Sequence, residues 1–137
     1  MTIDQVKIDK VNSEFPSLSA EERVMWAWES FGSSLILSTS FGLQSGVMLD
    51  LVLKVNSEIP VIFIDTGYLF PETYDYANVL QEKLGFRANV YSAKMSSAYQ
   101  EKSFGKLWEQ GKDGMKKYNS INKKEPMERA LSHLKVH

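Results

Sequence analysis

The run Leu35-Ile36-Leu37-Ser38-Thr39-Ser40-Phe41-Gly42-Leu43-Gln44-Ser45, followed by Gly46-Val47-Met48-Leu49-Asp50-Leu51-Val52-Leu53, constrains the fold of this chain more than any other stretch. Apolar, β-prone residues come first. A group of hydroxyls and a glycine follows, and then apolar residues at helical spacing. That is a buried strand, a tight polar loop and a helix start. A helix start presents unpaired backbone N–H groups and the positive end of the dipole, so a loop of this kind is suited to an anion. Ser38, Ser40 and Ser45 add hydroxyl donors, and Gly42 lets the backbone approach a phosphate closely. The same residues also fit an ordinary strand–helix turn with a serine N-cap.

The rest of the chain repeats the alternation. Residues 4–12 carry a short amphipathic helix pattern, with Ile3, Val6, Ile8 and Val11 on its apolar side. Ser19 and Glu22 form a capping-box pair that opens a helix running to about Ser30, with Val24, Met25, Trp28 and Phe31 inward. A helix over about 45–54 follows the first strand. Ile59-Pro60-Val61-Ile62-Phe63-Ile64 is a second continuous apolar run, the composition of a strand buried on both faces. Pro71 opens the next helix as an N1 proline, Gly85 stops it, and Ala88-Asn89-Val90-Tyr91 is a third, shorter strand. Beyond Ser92 the pattern is helical but broken near Gly105 and Gly111, with a last helix starting near Pro126.

This alternation predicts a doubly wound parallel α/β sheet, with strands in the order third–second–first. Ligands of such sheets bind outside the carboxyl ends of the strands, where the Ser38–Ser45 and Asp65–Phe70 loops both fall. Leu35-Ile36-Leu37 would then be an edge with no lysine, proline or bulge to protect it, so the free chain is expected to self-associate as a homo-oligomer, to aggregate, or to fold only marginally.

Composition sets limits on function. The 137 residues are the size of one domain, with 1–33 as a helical lead-in. No apolar run is long enough for a membrane span, and the N-terminal residues lack a secretory pattern. The chain has no cysteine, which excludes disulfides, thiolate metal sites and a cysteine nucleophile within it and fits a cytoplasmic protein. The net charge of −1 is uneven: residues 1–93 carry −6 and residues 94–137 carry +5. A basic C-terminal third could face a polyanion, but few aromatics are interleaved, so nucleic acid is not expected as a partner.

Four stretches resemble the phosphoadenosine phosphosulfate (PAPS) reductase family. Ser38-Thr39-Ser40-Phe41-Gly42-Leu43-Gln44-Ser45 is similar to its modified PP-loop. Ile64-Asp65-Thr66-Gly67-Tyr68-Leu69-Phe70-Pro71-Glu72-Thr73-Tyr74 resembles its most distinctive segment. Phe104–Gly111 and Tyr118–Leu131 match two more. The resemblance implies a three-layer α/β/α, Rossmann-like sheet of the adenine nucleotide alpha-hydrolase-like kind. It also implies a reaction. A cysteine thiolate attacks the sulfur of PAPS, adenosine 3′,5′-bisphosphate leaves, and thioredoxin or glutaredoxin reduces the enzyme thiosulfonate to release sulfite. The substrate-binding residues it implies are Ser38, Ser40, Phe41, Gly42, Gln44, Ser45, Asp65, Thr66, Gly67, Tyr68 and Lys123.

Single residues separate related families. ATP-using PP-loop enzymes, the ATP sulfurylase small subunit among them, favour Ser-Gly-Gly-x-Asp-Ser in the first loop; here Phe41 replaces the first glycine and Gln44 the aspartate. A neutral amide is a poor Mg²⁺ ligand, so no metal is expected. Adenosine phosphosulfate reductases carry a cysteine pair for an iron–sulfur cluster where this chain has Tyr118-Asn119, so no cluster is expected either. Two departures stand against a complete enzyme. The family's Glu-Cys-Gly-Leu-His segment, which holds the nucleophile, and its Arg-Arg-x-x-Ser segment are both absent. An N-terminal half, inactive by itself, is therefore expected; the alternative is a nucleotide-binding module without redox activity.

Further residues divide between site and packing. Asp65 fits either a place beside the adenosine or a cap on the next helix. Tyr68 and Phe70 fit a base pocket or core packing equally. Trp108 reads as a core anchor, Lys123 and Arg129 are candidate phosphate partners, and His133 and His137 read as exposed tail residues.

Overall fold

The computed structural model describes residues 4–134. Helix α1 (Gln5–Glu14) and α2 (Ala20–Phe31) lead into strand β1 (Leu37–Thr39). Helix α3 (Ser45–Val55), β2 (Val61–Asp65), α4 (Pro71–Leu84) and β3 (Asn89–Ser92) complete the alternation. Helices α5 (Ser97–Phe104), α6 (Gly111–Asn119) and α7 (Glu125–Leu134) follow, with a π turn, Ser120–Lys124, between the last two.

Local signals account for most of these boundaries. The Ser19–Glu22 capping box forms reciprocally, the Glu22 carboxylate accepting the Ser19 N–H at 2.6 Å and the Ser19 hydroxyl the Glu22 N–H at 3.2 Å. Pro71 stands at the start of α4, where its missing N–H costs nothing. Gly85 ends that helix in the left-handed conformation at φ 68°, which a side chain would resist.

The three strands form one parallel sheet in the order β1-β2-β3, as the alternation predicts. Leu37 is paired in register with Val61, and Asp65 with Ser92, so the loops after all three strands emerge at one end. Val61 and Phe63 of β2 pack with Phe41, Leu49 of α3, Ala77 of α4 and Phe86. Ile62 has the opposite parity, is fully buried, and faces the side crossed by α7. The sheet therefore lies between two helical layers, the three-layer α/β/α arrangement. Burying each such apolar side chain contributes about 1.5–3 kcal/mol, so the two faces of β2 hold much of the core energy.

Two expectations hold with a difference. Helix α1 forms where expected and Ile8 and Val11 are half-buried on it, but Val6 is 73% exposed and no residue of α1 is fully buried; Ile3 lies outside the described residues. The last helix starts at Glu125, beside Pro126, as the sequence indicates, but no break precedes it. The helical run from Gly111 continues through the π turn into α7 without a break. The wide turn carries the chain past the proline, and the Glu125 N–H reaches back to the Ser120 carbonyl.

Candidate functional site

The first loop is tied to the core by its aromatic residue. Phe41 has φ 51°, uncommon for a bulky side chain, yet that side chain is buried and meets Phe63 edge-on with ring centroids 4.9 Å apart. The core contact sustains the strained backbone, and the chain reverses there as a glycine would allow. The Thr39 hydroxyl accepts the Phe41 N–H at 3.1 Å. Ser45 does not cap α3: its hydroxyl donates to the Gly42 carbonyl at 2.7 Å, and Gln44 stands at the N-cap position without a side-chain bond. The start of α3 thus has no side-chain cap, which removes the ordinary serine N-cap reading of this loop.

A cavity of about 520 Å³ lies against this loop. Ser38, Ser40, Gly42, Gln44 and Ser45 line it, with Leu37, Met48 and Leu49 as its apolar wall. Hydroxyl donors, an accessible glycine backbone and a helix start on one concave surface are the elements of an anion site.

The second loop is held by hydrogen bonds. Asp65 ends β2, and its Oδ1 accepts the Gly67 N–H at 2.8 Å and the Tyr74 hydroxyl at 2.6 Å. Gly67 takes φ 75°, the left-handed region this turn requires. Thr66 is buried, and its hydroxyl accepts the Tyr68 N–H at 3.3 Å. The Tyr68 hydroxyl donates to the Ser97 carbonyl at 3.3 Å, and its ring sits in a cluster with Trp108, at 5.2 Å, and Tyr118, at 5.4 Å. Burial pushes the Tyr68 phenol above its usual value. Burial, and then the bond to Asp65, push the Tyr74 phenol up to about 12, so it remains a donor to Asp65 throughout the neutral range.

The structure therefore gathers the expected residues into groups. Ser38, Ser40, Gly42, Gln44 and Ser45 share the cavity, and Phe41 supports them from the core. Asp65, Thr66, Gly67 and Tyr68 form the neighbouring loop and do not line that cavity. Lys123 is exposed in the π turn and has no ion partner among the described residues. Arg129 is engaged elsewhere. Its guanidinium bonds Glu125 at 2.9 and 3.1 Å and the Ser92 carbonyl at 2.6 Å. Phe70 is 79% exposed, outside the core. Trp108 is 39% exposed, and the core anchor of its turn is its neighbour Leu107. His133 is exposed on α7 beside Tyr91, and His137 lies outside the described residues.

Two functional neighbours escape a reading by residue type. Tyr74 holds Asp65, and Tyr76 donates its hydroxyl to the Leu43 carbonyl at 3.2 Å. Both stand on α4, which thereby fastens both loops. Both rings also pack against the core cluster, so by residue type they read as core.

An open parallel sheet with polar loops gathered at the carboxyl ends of its strands defines a doubly wound α/β domain. Comparison with known proteins narrows this. The family model for the phosphoadenosine phosphosulfate reductase domain matches residues 34–137, and the chain belongs to that family. It is 50% identical over 131 residues to a phosphoadenosine 5′-phosphosulfate reductase of Vibrio cholerae, covering 96% of this chain and 52% of the relative. It is 52% identical over 135 residues to the enzyme of that name from Photobacterium profundum, covering 98% and 53%. A crystal structure of phosphoadenylyl-sulfate (PAPS) reductase from Candida auris, a phosphate complex, superposes with a TM-score of 0.85 at 33% identity. That superposition covers 100% of this chain and 66% of the other. The chain spans about half the length of the curated relatives it matches.

Proposed function

We propose that this chain supplies the nucleotide-binding part of a thioredoxin- or glutaredoxin-dependent PAPS reductase, an oxidoreductase of sulfate assimilation. The first loop takes phosphate groups through the hydroxyls of Ser38, Ser40 and Ser45, the backbone at Phe41 and Gly42, and the start of α3. The Asp65–Tyr68 loop takes the adenosine side, and Lys123 meets a phosphate. The observation that carries this reading is the cavity on which Ser38, Ser40, Gly42, Gln44 and Ser45 converge beside an uncapped helix start. Neither a metal nor an iron–sulfur cluster takes part in the proposal. Gln44 stands where Mg²⁺-using relatives have a carboxylate, and Tyr118-Asn119 where cluster-binding relatives have cysteines.

The chemical step needs a thiolate, and these 137 residues contain none. The chain by itself is expected to yield no sulfite from PAPS and reduced thioredoxin above the uncatalysed thiol control. That absence also favours a second reading, a nucleotide-binding module without redox activity, which makes the same prediction for binding.

Titration calorimetry with adenosine 3′,5′-bisphosphate tests the site. A Cβ added at Gly42 would meet only the Ser40 hydroxyl, at 3.7 Å, so Gly42→Val leaves the fold intact while filling the approach to the backbone. Loss of one charge-assisted contact costs about 1.5–3 kcal/mol, so binding at least tenfold weaker is expected with an unchanged melting temperature. Equal titrations for the two proteins remove the first loop from the site.

A further inference from the structure

The π turn is held in place by a buried amide pair. Asn122, within the turn, is fully buried, and Gln100 of α5 is 1% exposed. Gln100 Nε2 donates to the Asn122 side-chain carbonyl at 2.8 Å, and Asn122 Nδ2 donates back to the Gln100 carbonyl at 2.9 Å. The remaining N–H groups go to backbone: Gln100 to the Met95 carbonyl at 2.8 Å, Asn122 to the Tyr118 carbonyl at 3.2 Å. All four amide N–H groups of the pair are therefore used. A buried amide is tolerated only when it is bonded, so the pair accepts one register of the turn. Shifting the turn by one residue would set Ile121 or Lys123 opposite Gln100 and leave that amide unpaired.

The same helix, α5, supports the second loop. Ser97, its first residue, receives the Tyr68 hydroxyl, and the Tyr118 ring beside the π turn contacts the Tyr68 ring. The turn and the Asp65–Phe70 loop thus share one support. Lys123 follows Asn122 directly and is the lysine of the turn left without an ion partner among the described residues; Lys124 approaches Glu128 at 3.9 Å. A π turn is rare and is kept where the surroundings hold it.

We propose that Gln100 and Asn122 are positioning residues, a latch that fixes the π turn so that Lys123 is presented to an anionic group of a nucleotide seated on the Asp65–Phe70 loop. The identity of that ligand rests on the function proposed above. The latch itself does not.

The test uses Asn122→Leu, the double variant Gln100→Met with Asn122→Leu, and Lys123→Ala in the wild-type and double-variant backgrounds. The single change strands the Gln100 amide. The double change replaces both partners by apolar groups of similar size and is expected to recover stability. Two quantities are read: exchange of the Glu125 amide hydrogen without ligand, and affinity for adenosine 3′,5′-bisphosphate. The double variant is expected to melt like the wild type yet exchange the Glu125 amide at least tenfold faster. Lys123→Ala is expected to weaken binding roughly tenfold in the wild type and less than twofold in the double variant. Unchanged Glu125 exchange in the double variant, or an equal effect of Lys123→Ala in both backgrounds, overturns the latch. Faster exchange in a protein that binds no nucleotide supports the latch and overturns the proposed function.

Discussion

The two edges of the sheet are built differently. At β3 a later helix of the chain crosses one face of the strand, although three of its four residues stay exposed. Helix α7 crosses β2 and β3 with Ala130 fully buried beneath it, Arg129 donates to the Ser92 carbonyl at 2.6 Å, and His133 lies beside Tyr91. At β1 nothing in the described chain plays that part. The Leu37 N–H bonds the Pro60 carbonyl across the ladder, so the backbone groups of Ile36 and Ser38 face the other way, outward. Around that edge Leu43 is 95% exposed, Val47 75% and Met48 49%. The cavity at the first loop lies on this same side. The β3 side is held by a helix across its face and by the Arg129 hydrogen bond, whereas the edge beside the cavity leaves strand backbone and apolar side chains open to a partner.

The largest expected effect breaks or keeps this contrast outright. The chain is expected to self-associate through β1, with a weight-average mass that rises across micromolar concentrations in sedimentation. Ser38→Pro removes an outward N–H at an exposed position without touching the β1–β2 ladder, and is expected to weaken association at least tenfold. A wild-type monomer at every concentration would mean that the β1 edge is already satisfied.

A smaller effect compares the two sides by packing. Ala130→Leu forces extra methylenes between α7 and the sheet and is expected to cost about 1–3 kcal/mol in urea denaturation. Val47→Leu, on the exposed face of α3, is expected to stay within about 0.5 kcal/mol. Equal shifts for both would show that α7 does not close its side of the sheet.

The smallest effect is in pH. The hydrogen bond from Arg129 holds the Glu125 carboxyl below its usual value of 4.5. A folded-state value below the unfolded one adds stability that is complete above the unfolded value and lost as pH falls through the folded one. Because the pair is partly exposed, the contribution is small. Urea midpoints of the wild type and Glu125→Gln are expected to differ at pH 7 and to converge below the carboxylate range. A constant gap down to pH 2 would detach the ion pair from the anchoring of α7.

Apolar continuity and termination chemistry made much of this architecture legible. Val61–Asp65 reads as a doubly buried strand because an all-apolar run allows little else, and Ser19–Glu22, Pro71 and Gly85 mark helix ends through bonds or dihedrals within a few residues. The loop after β1 was legible for the same reason, since its hydroxyls and glycine sit between two recognisable patterns. The burial of Phe41 was not. Its side chain finds Phe63, and only that contact explains a positive φ at a bulky residue. Arg129 looked like a phosphate cation by type, yet its partners Glu125 and Ser92 leave it fastening α7 to β3.

By itself, then, the sequence determined the class of sheet, the order of its elements, the family and the polar loops at the strand ends, because strand runs, caps and motifs act over short stretches of chain. Tertiary structure alone decided what each polar side chain does there. Tyr76 reaches Leu43, Gln100 reaches Asn122 and Arg129 reaches Ser92 across 33, 22 and 37 residues of sequence. A donor's role is set by the acceptor that folding brings within about 3 Å, and no local pattern encodes that distance.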